Sequence, residues 1–263
     1  MPIPEGHAEH RPARAGRWLF VVIFALIVLL GILIAAVVVT SSENKGIAVV
    51  RMEGVLVTGE NSDSQYAASE QVGRELRSAA DDPMVEAIVL RVDSPGGTPA
   101  AAEEIIRDLE YAKTKKPVVV SMGDMATSAA YYVSAHANRI YASPDTFTAG
   151  IGVIWTFSDV SGWNEKEGYN ITIVKSGARK DMGSTSRPIT SGELTYAQQI
   201  VNASFDDFMK DVLSQRTIAR SDIEDGRVIR GADAIKINVV DEIGNLNDAI
   251  DGAKSLAANR NFL

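Results

Sequence analysis

Residues Trp18 to Val39 read WLFVVIFALIVLLGILIAAVVV, 22 residues without a charge. As a helix rising about 1.5 Å per residue, the run is about 33 Å long, enough to cross a bilayer. A buried core helix does not run that far without a polar residue. The apolar region of a cleaved signal peptide is shorter, about 7–15 residues, and small residues of the A-x-A kind follow it. Here the run ends in Val37, Val38, Val39 and Thr40. It is read as an uncleaved signal anchor. Arg11, Arg14 and Arg17 precede it, whereas Glu43, Lys45 and Arg51 follow. By the positive-inside rule the N-terminus lies in the cytoplasm and the rest on the external face of the cell membrane. The expected organisation is a polar cytoplasmic tail (1–17), an anchor in the lipid bilayer (18–39), a short linker (40–45) and an external domain (46–263).

Composition narrows what that domain can do. There are 34 Asp and Glu against 26 Lys and Arg, a net charge of -8. A nucleic-acid binder needs a basic footprint, which this balance does not provide. The chain has no cysteine, which excludes disulfides, thiolate catalysis and cysteine-ligated metals. Of its three histidines, His7 and His10 lie in the tail, leaving His136 alone in the domain.

Past the linker, apolar strands alternate with helices. Strands are expected at Gly46–Met52, Val85–Val92 and Pro117–Met122, with shorter ones near Ile140, Gly152–Thr156 and Ile171–Lys175. Helices are expected at Ser64–Ala80, Pro99–Ala112, Ser128–Ala137 and about Gly192–Arg216, with two short ones near Ala232–Ile237 and Leu246–Ala258. This alternation indicates βαβ units and a largely parallel sheet, hence an α/β fold. Such sheets place reactive groups beyond the carboxyl ends of their strands. Two loops fall there.

The first loop is Asp93-Ser94-Pro95-Gly96-Gly97. Adjacent glycines let backbone N–H groups approach a ligand closely, as an oxyanion hole requires. The same letters also suit an ordinary turn. The second loop carries Ser128, which follows a buried strand and opens a helix. It reads either as a nucleophile or as a helix N-cap. A nucleophilic serine needs a base. His136 lies eight residues along the same helix, about 12 Å away, beyond hydrogen-bond reach. The spacing argues against a Ser-His-Asp triad within one chain, and a lysine base remains. Lys180 is a candidate, and Lys175 and Lys166 are rivals.

Taken together, these segments resemble the signal peptide peptidase A family of membrane-bound Ser-Lys peptidases, relatives of the Clp protease subunit and crotonase folds. The resemblance is carried by Asp93-Ser94-Pro95-Gly96-Gly97 and by Lys116 to Gly123 leading to Ser128 and Tyr131-Tyr132. It continues through Thr146 to Val153, Lys180-Asp181-Met182-Gly183-Ser184, and Gly226 to Gly244. Lys180 follows Ser128 by 52 residues, the spacing of single-length members. The resemblance implies Ser128 as nucleophile and Lys180 as base. It implies oxyanion donors from the backbones of Gly97 and Ala129, with Gly96 shaping the loop. It further implies apolar peptide substrates, such as remnants of cleaved signal peptides, a homo-oligomeric ring in which Ser128 and Lys180 can meet across subunits, and no cofactor or metal.

The nucleophile block departs from the family's A-S-G-G-Y-Y at Thr127, Ala129 and Ala130, and Ala149-Gly150 stands where Gly-Ser is usual. Three of these departures, Ala129, Ala130 and Ala149, put alanine for glycine. Alanine matters there only if the backbone must take a positive φ, at about 1–2 kcal/mol, or approach another chain segment closely. Ala129 and Ala130 are expected to be helical. Two other classes of function are compatible with these letters: a membrane-anchored, catalytically weak scaffold, and a crotonase-like acyl-CoA enzyme.

Overall fold

The computed structural model describes residues 22–34, 45–61 and 63–260. Two units are distinguished, residues 1–45 and residues 46–263, and each is described by itself. In the first, residues 22–34 form helix α1. Among the described residues no helix is long and apolar enough to cross a membrane. The expected anchor is described only in this middle stretch, and its two flanks lie outside the described residues.

The second unit is built on a sheet of strands β1 (Gly46–Glu53), β4 (Val85–Ser94), β5 (Val118–Thr127), β6 (Arg139–Ala142) and β9 (Glu242–Ile243), side by side in that order. All neighbours in this path are parallel. Strand β7 (Phe147–Ala149) pairs in parallel with the end of β5 and antiparallel with β8 (Val228–Arg230). Strands β2 (Val55–Val57) and β3 (Tyr66–Ala68) form a separate parallel pair. Every internal connection in a parallel sheet needs a crossover, and helices supply it. These are α2 (Ser69–Asp81), α3 (Pro99–Lys115) and α4 (Ala129–Ala135), followed later by α5 (Ser161–Lys166), α6 (Ser191–Gln215), α7 (Gly231–Ala234) and α8 (Leu246–Arg260).

Strand β4 shows why the sheet lies between two layers. Alternate residues point to opposite faces. Ile88, Leu90 and Val92 join a large core with Val72 and Leu76 of α2 and Ile105 and Leu109 of α3. Ala87 and Val89 face the other way, toward Ala249, Ala253 and Ala257 of α8. That second layer is made of small residues, so α8 lies close to the sheet. A Cβ on Gly252 would collide with the Tyr141 ring.

The expected elements form with two differences. Tyr66–Ala68, expected at the start of a helix, pairs as β3, and α2 begins at Ser69. Gly152–Thr156 and Ile171–Lys175, expected as strands, form no ladder among the described residues. Among the described residues no neighbouring strand supplies partners for them, and Ile154 and Val174 are 90% and 94% exposed. β-branched composition favours a strand only where a sheet receives it.

Candidate active site

Strand β5 carries two more residues than β4 between matched positions: Val92 faces Met122, but Ser94 faces Ala126. This irregularity bends the chain before the nucleophile loop. It is held by Asp93, whose carboxylate accepts a hydrogen bond from the Met125 N–H at 3.1 Å. A Cβ on Gly123 would meet the Asp93 carboxyl at 2.9 Å. Beyond the bulge, Met125 to Thr127 pair with β7, and the chain turns sharply at Ser128.

Ser128 has φ 55° and ψ -126°, a conformation that costs a non-glycine residue on the order of 1–3 kcal/mol. It occupies the N-cap position of α4, yet its hydroxyl makes no cap hydrogen bond. An N-cap serine has extended dihedrals and gives its oxygen to the helix, so the capping reading fails. The neighbours enforce the turn. The Ser128 N–H donates to the Ala149 carbonyl at 2.8 Å, and the Thr127 hydroxyl donates to the Pro95 carbonyl at 3.0 Å.

The glycine loop lies against this turn. Gly96 has φ 100°, and a Cβ there would come within 2.8 Å of the Ser128 Cβ and 2.9 Å of the Ala129 nitrogen. Glycine is therefore required by both conformation and space. Gly96 N–H is satisfied by Ser94 Oγ at 3.1 Å, and its carbonyl accepts from Leu56 N–H at 2.9 Å. Gly97 packs on the Leu56 backbone too closely for any side chain. Among the described residues, neither the Gly97 N–H nor the Ala129 N–H is spent on a partner. Ser128, Gly97, Ala129, Tyr132, Val153 and Phe208 line one cavity of about 320 Å³. A free hydroxyl thus shares with two free backbone donors a pocket walled by apolar side chains and by Glu103 and Asp207; hydroxyl and donors are the set that acyl transfer to serine requires.

The alanine departures separate. Ala129 and Ala130 are helical and buried, as expected, so alanine suits them. Ala149 has φ 62° and is buried, so the conformational cost falls there.

Lys180 lies elsewhere. It is exposed, on a run of turns between Gly177 and Ser184, and does not line the Ser128 cavity. Its Nζ makes no hydrogen bond or ion pair among the described residues. Lys175, its rival, donates to Asp181 Oδ1 at 2.5 Å and to the Ala178 carbonyl at 3.0 Å. His136 is buried between Glu110 (Nδ1 to Oε1, 2.9 Å) and Asp211 (Nε2 to Oδ2, 3.1 Å), away from Ser128. Among the described residues no group of three or more His, Cys, Asp or Glu side chains could hold a metal ion.

Sequence reasoning missed a charged cluster beside Lys180. Arg187 bridges Asp181 and Glu193. Arg187, and then Lys175, hold the Asp181 carboxyl below the usual range, and Arg187, then the Thr190 N–H, hold Glu193 down to about 2. Thr190 and Glu193 form a capping box on α6, a pattern visible in the letters T-S-G-E.

The sequence profile of peptidase family S49 matches residues 110–260. A protease-named protein of Methanocaldococcus jannaschii is 38% identical over 179 residues, covering 67% of this chain and 58% of that protein. Protease 4 of Haemophilus influenzae is 35% identical over 220 residues, covering 81% of this chain and 35% of that protein. The chain thus spans less than two thirds of the length of these relatives. Among solved structures, a membrane-bound stomatin-specific protease has a similar fold, with a TM-score of 0.52 and 16% identity over 78% of this chain and 83% of that one. The loops at Gly97 and Ser128 therefore sit in a known frame, and the chain belongs to peptidase family S49, the signal peptide peptidase A family.

Proposed function

We propose that this chain is a membrane-anchored serine endopeptidase using a Ser128–Lys180 dyad. The observation that carries the reading is the strained Ser128, its hydroxyl uncommitted, beside the unspent N–H groups of Gly97 and Ala129. Ser128 Oγ attacks the scissile carbonyl carbon while its proton passes to the neutral amine of Lys180. The carbonyl oxygen takes the negative charge and is met by the two N–H donors. The C–N bond then breaks, and Lys180 returns the proton to the departing amine. In the second half, Lys180 takes a proton from water, the resulting hydroxide attacks the acyl-serine, and the acid product leaves as Ser128 regains its proton.

Lys180 stands outside the Ser128 cavity of its own chain, which supports a dyad assembled across subunits of a ring. The apolar side chains of the cavity suit apolar peptides, such as signal-peptide remnants. Residues 18–39 would anchor the domain on the external face; a reporter active only outside the membrane, fused after Leu263, should then be active, and an inactive one refutes this topology. The chemical test is cleavage of a mixed peptide library, read by mass spectrometry. Ser128→Ala and Lys180→Ala each abolish cutting, the double variant is no worse than either single, and Lys175→Ala keeps activity. Loss in Lys175→Ala with retention in Lys180→Ala would assign the base to Lys175 instead.

A further inference from the structure

The segment from Gly150 to Thr190 has little core of its own. Among its described residues only Ile151 is buried, and it contains one short helix, α5. One cluster within it is nevertheless tightly built. Arg187 Nε and Nη2 donate to the two oxygens of Asp181 at 2.8 and 2.9 Å. Its Nη1 and Nη2 donate to the two oxygens of Glu193 at 2.9 and 2.6 Å. The Asp181 and Glu193 side chains are only 9% and 6% exposed. Lys175 adds a fourth charge, so two cations meet two carboxylates. A guanidinium bidentate to two carboxylates fixes their relative position in a way no lysine can.

Glu193 belongs to a stable element, since it closes the capping box at the start of α6. Asp181 belongs to the turn that carries Lys180. Successive backbone bonds, Lys180 N–H to Gly177, Met182 N–H to Arg179 and Ser184 N–H to Asp181, make that turn one piece. Among the described residues the Lys180 side chain makes no hydrogen bond or ion pair to hold it. The cluster therefore ties the base-bearing turn to the helix behind it by ion pairs, beside the Arg179 guanidinium that lies over the Tyr196 ring of the same helix.

We propose that Arg187 is a positioning residue for Lys180, clamping the turn to the N-terminus of α6 through Asp181 and Glu193. This rests on Lys180 being the base. A misplaced base slows both reactions, because Ser128 and the attacking water must each lose a proton, but it slows amide cleavage more, because the departing amine must also be protonated whereas a nitrophenolate leaves without a proton. A merely structural defect lowers both reactions together.

The test measures a peptide amide and a nitrophenyl ester on the full-length chain in detergent, for Arg187→Ala, Arg187→Lys, Asp181→Asn and Lys180→Ala. Lys254→Ala serves as control, since Lys254 pairs with Asp251 on α8, outside this segment. In Arg187→Ala and Asp181→Asn the amide kcat should fall about 10²-fold, the order that general acid–base catalysis contributes, with KM within about threefold and the ester rate falling by a smaller factor, so that the amide-to-ester ratio drops. Arg187→Lys should resemble Arg187→Ala, and Lys254→Ala the parent. Full amide turnover in Lys180→Ala would sink the dyad reading itself. If Lys180→Ala is dead but the clamp variants keep amide turnover, or lose amide and ester equally, the positioning role is wrong and the dyad stands.

Discussion

Alanine replaces glycine at three places around the nucleophile, and the consequences differ with backbone conformation. At Ala129 and Ala130 the chain is helical, so each methyl both favours the helix and fills buried space. Replacing the pair by glycine should cost roughly 3 kcal/mol, from about 1 kcal/mol of propensity and about 0.8 kcal/mol of methyl burial at each site, reduced for partial relaxation. At Ala149 the φ of 62° reverses one of those signs. Relief of about 1–2 kcal/mol of left-handed strain offsets the lost methyl, so Ala149→Gly should lie within about 1 kcal/mol of neutral. Urea denaturation of the two variants checks this contrast, and equal losses would show that Ala149 is not strained. Sequence alone exposed all three substitutions but could not rank them. Which residue takes positive φ is set by where β7 meets the Ser128 turn, a tertiary fact.

Among the elements, the N-terminus of α6 carries a charge arrangement whose strength depends on pH. Arg187 holds Glu193 down to about 2 from an ordinary 4.5. A carboxylate depressed in the folded state contributes stability fully above its unfolded pKa and loses it as pH falls through the folded one. Thermal stability should thus decline between about pH 4.5 and 2, and Asp181, lowered by the same arginine, extends the decline to still lower pH. In Glu193→Gln this acid slope should be shallower, with a lower melting temperature near neutrality; an unchanged slope would mean the ion pair does not survive in solution. The central elements were legible because β4 and β5 have apolar middles buried on both faces, Ala87–Leu90 and Val118–Val120, and α3 and α6 have clear starts. The segments at 152–156 and 171–175 were misread because β-branched letters report a willingness to pair, whereas pairing needs a partner this chain does not provide. The Ser128 turn and the glycine loop could be placed from the letters, since both follow buried strands. The Arg187 cluster could not, because its members touch only after the turns between them have formed.

At the scale of the whole molecule, one chain presents a nucleophile with its oxyanion donors in a cavity, and the proposed base on an exposed turn outside it. In the segment that precedes that turn in the chain, Ile154, Trp155, Trp163, Ile171 and Val174 stand at the surface. A monomer seldom leaves so many large apolar residues uncovered, and a second copy of the same chain is the economical cover. If the dyad forms between copies, two dead variants should repair each other. A Ser128→Ala chain still offers Lys180, and a Lys180→Ala chain still offers Ser128. Dissociated, mixed in equal amounts and reassembled, they should recover roughly a quarter of the parent rate, because random neighbours place an intact serine beside an intact lysine about that often. A dyad closed within one chain gives no recovery at any mixing ratio, since every chain then lacks one partner. Mixing Ser128→Ala with a Ser128→Ala/Lys180→Ala double variant provides the blank, because no serine is present in either. Recovery above that blank would place the reaction at the junction of two subunits, and would explain why the unpaired segments of a single chain remain exposed.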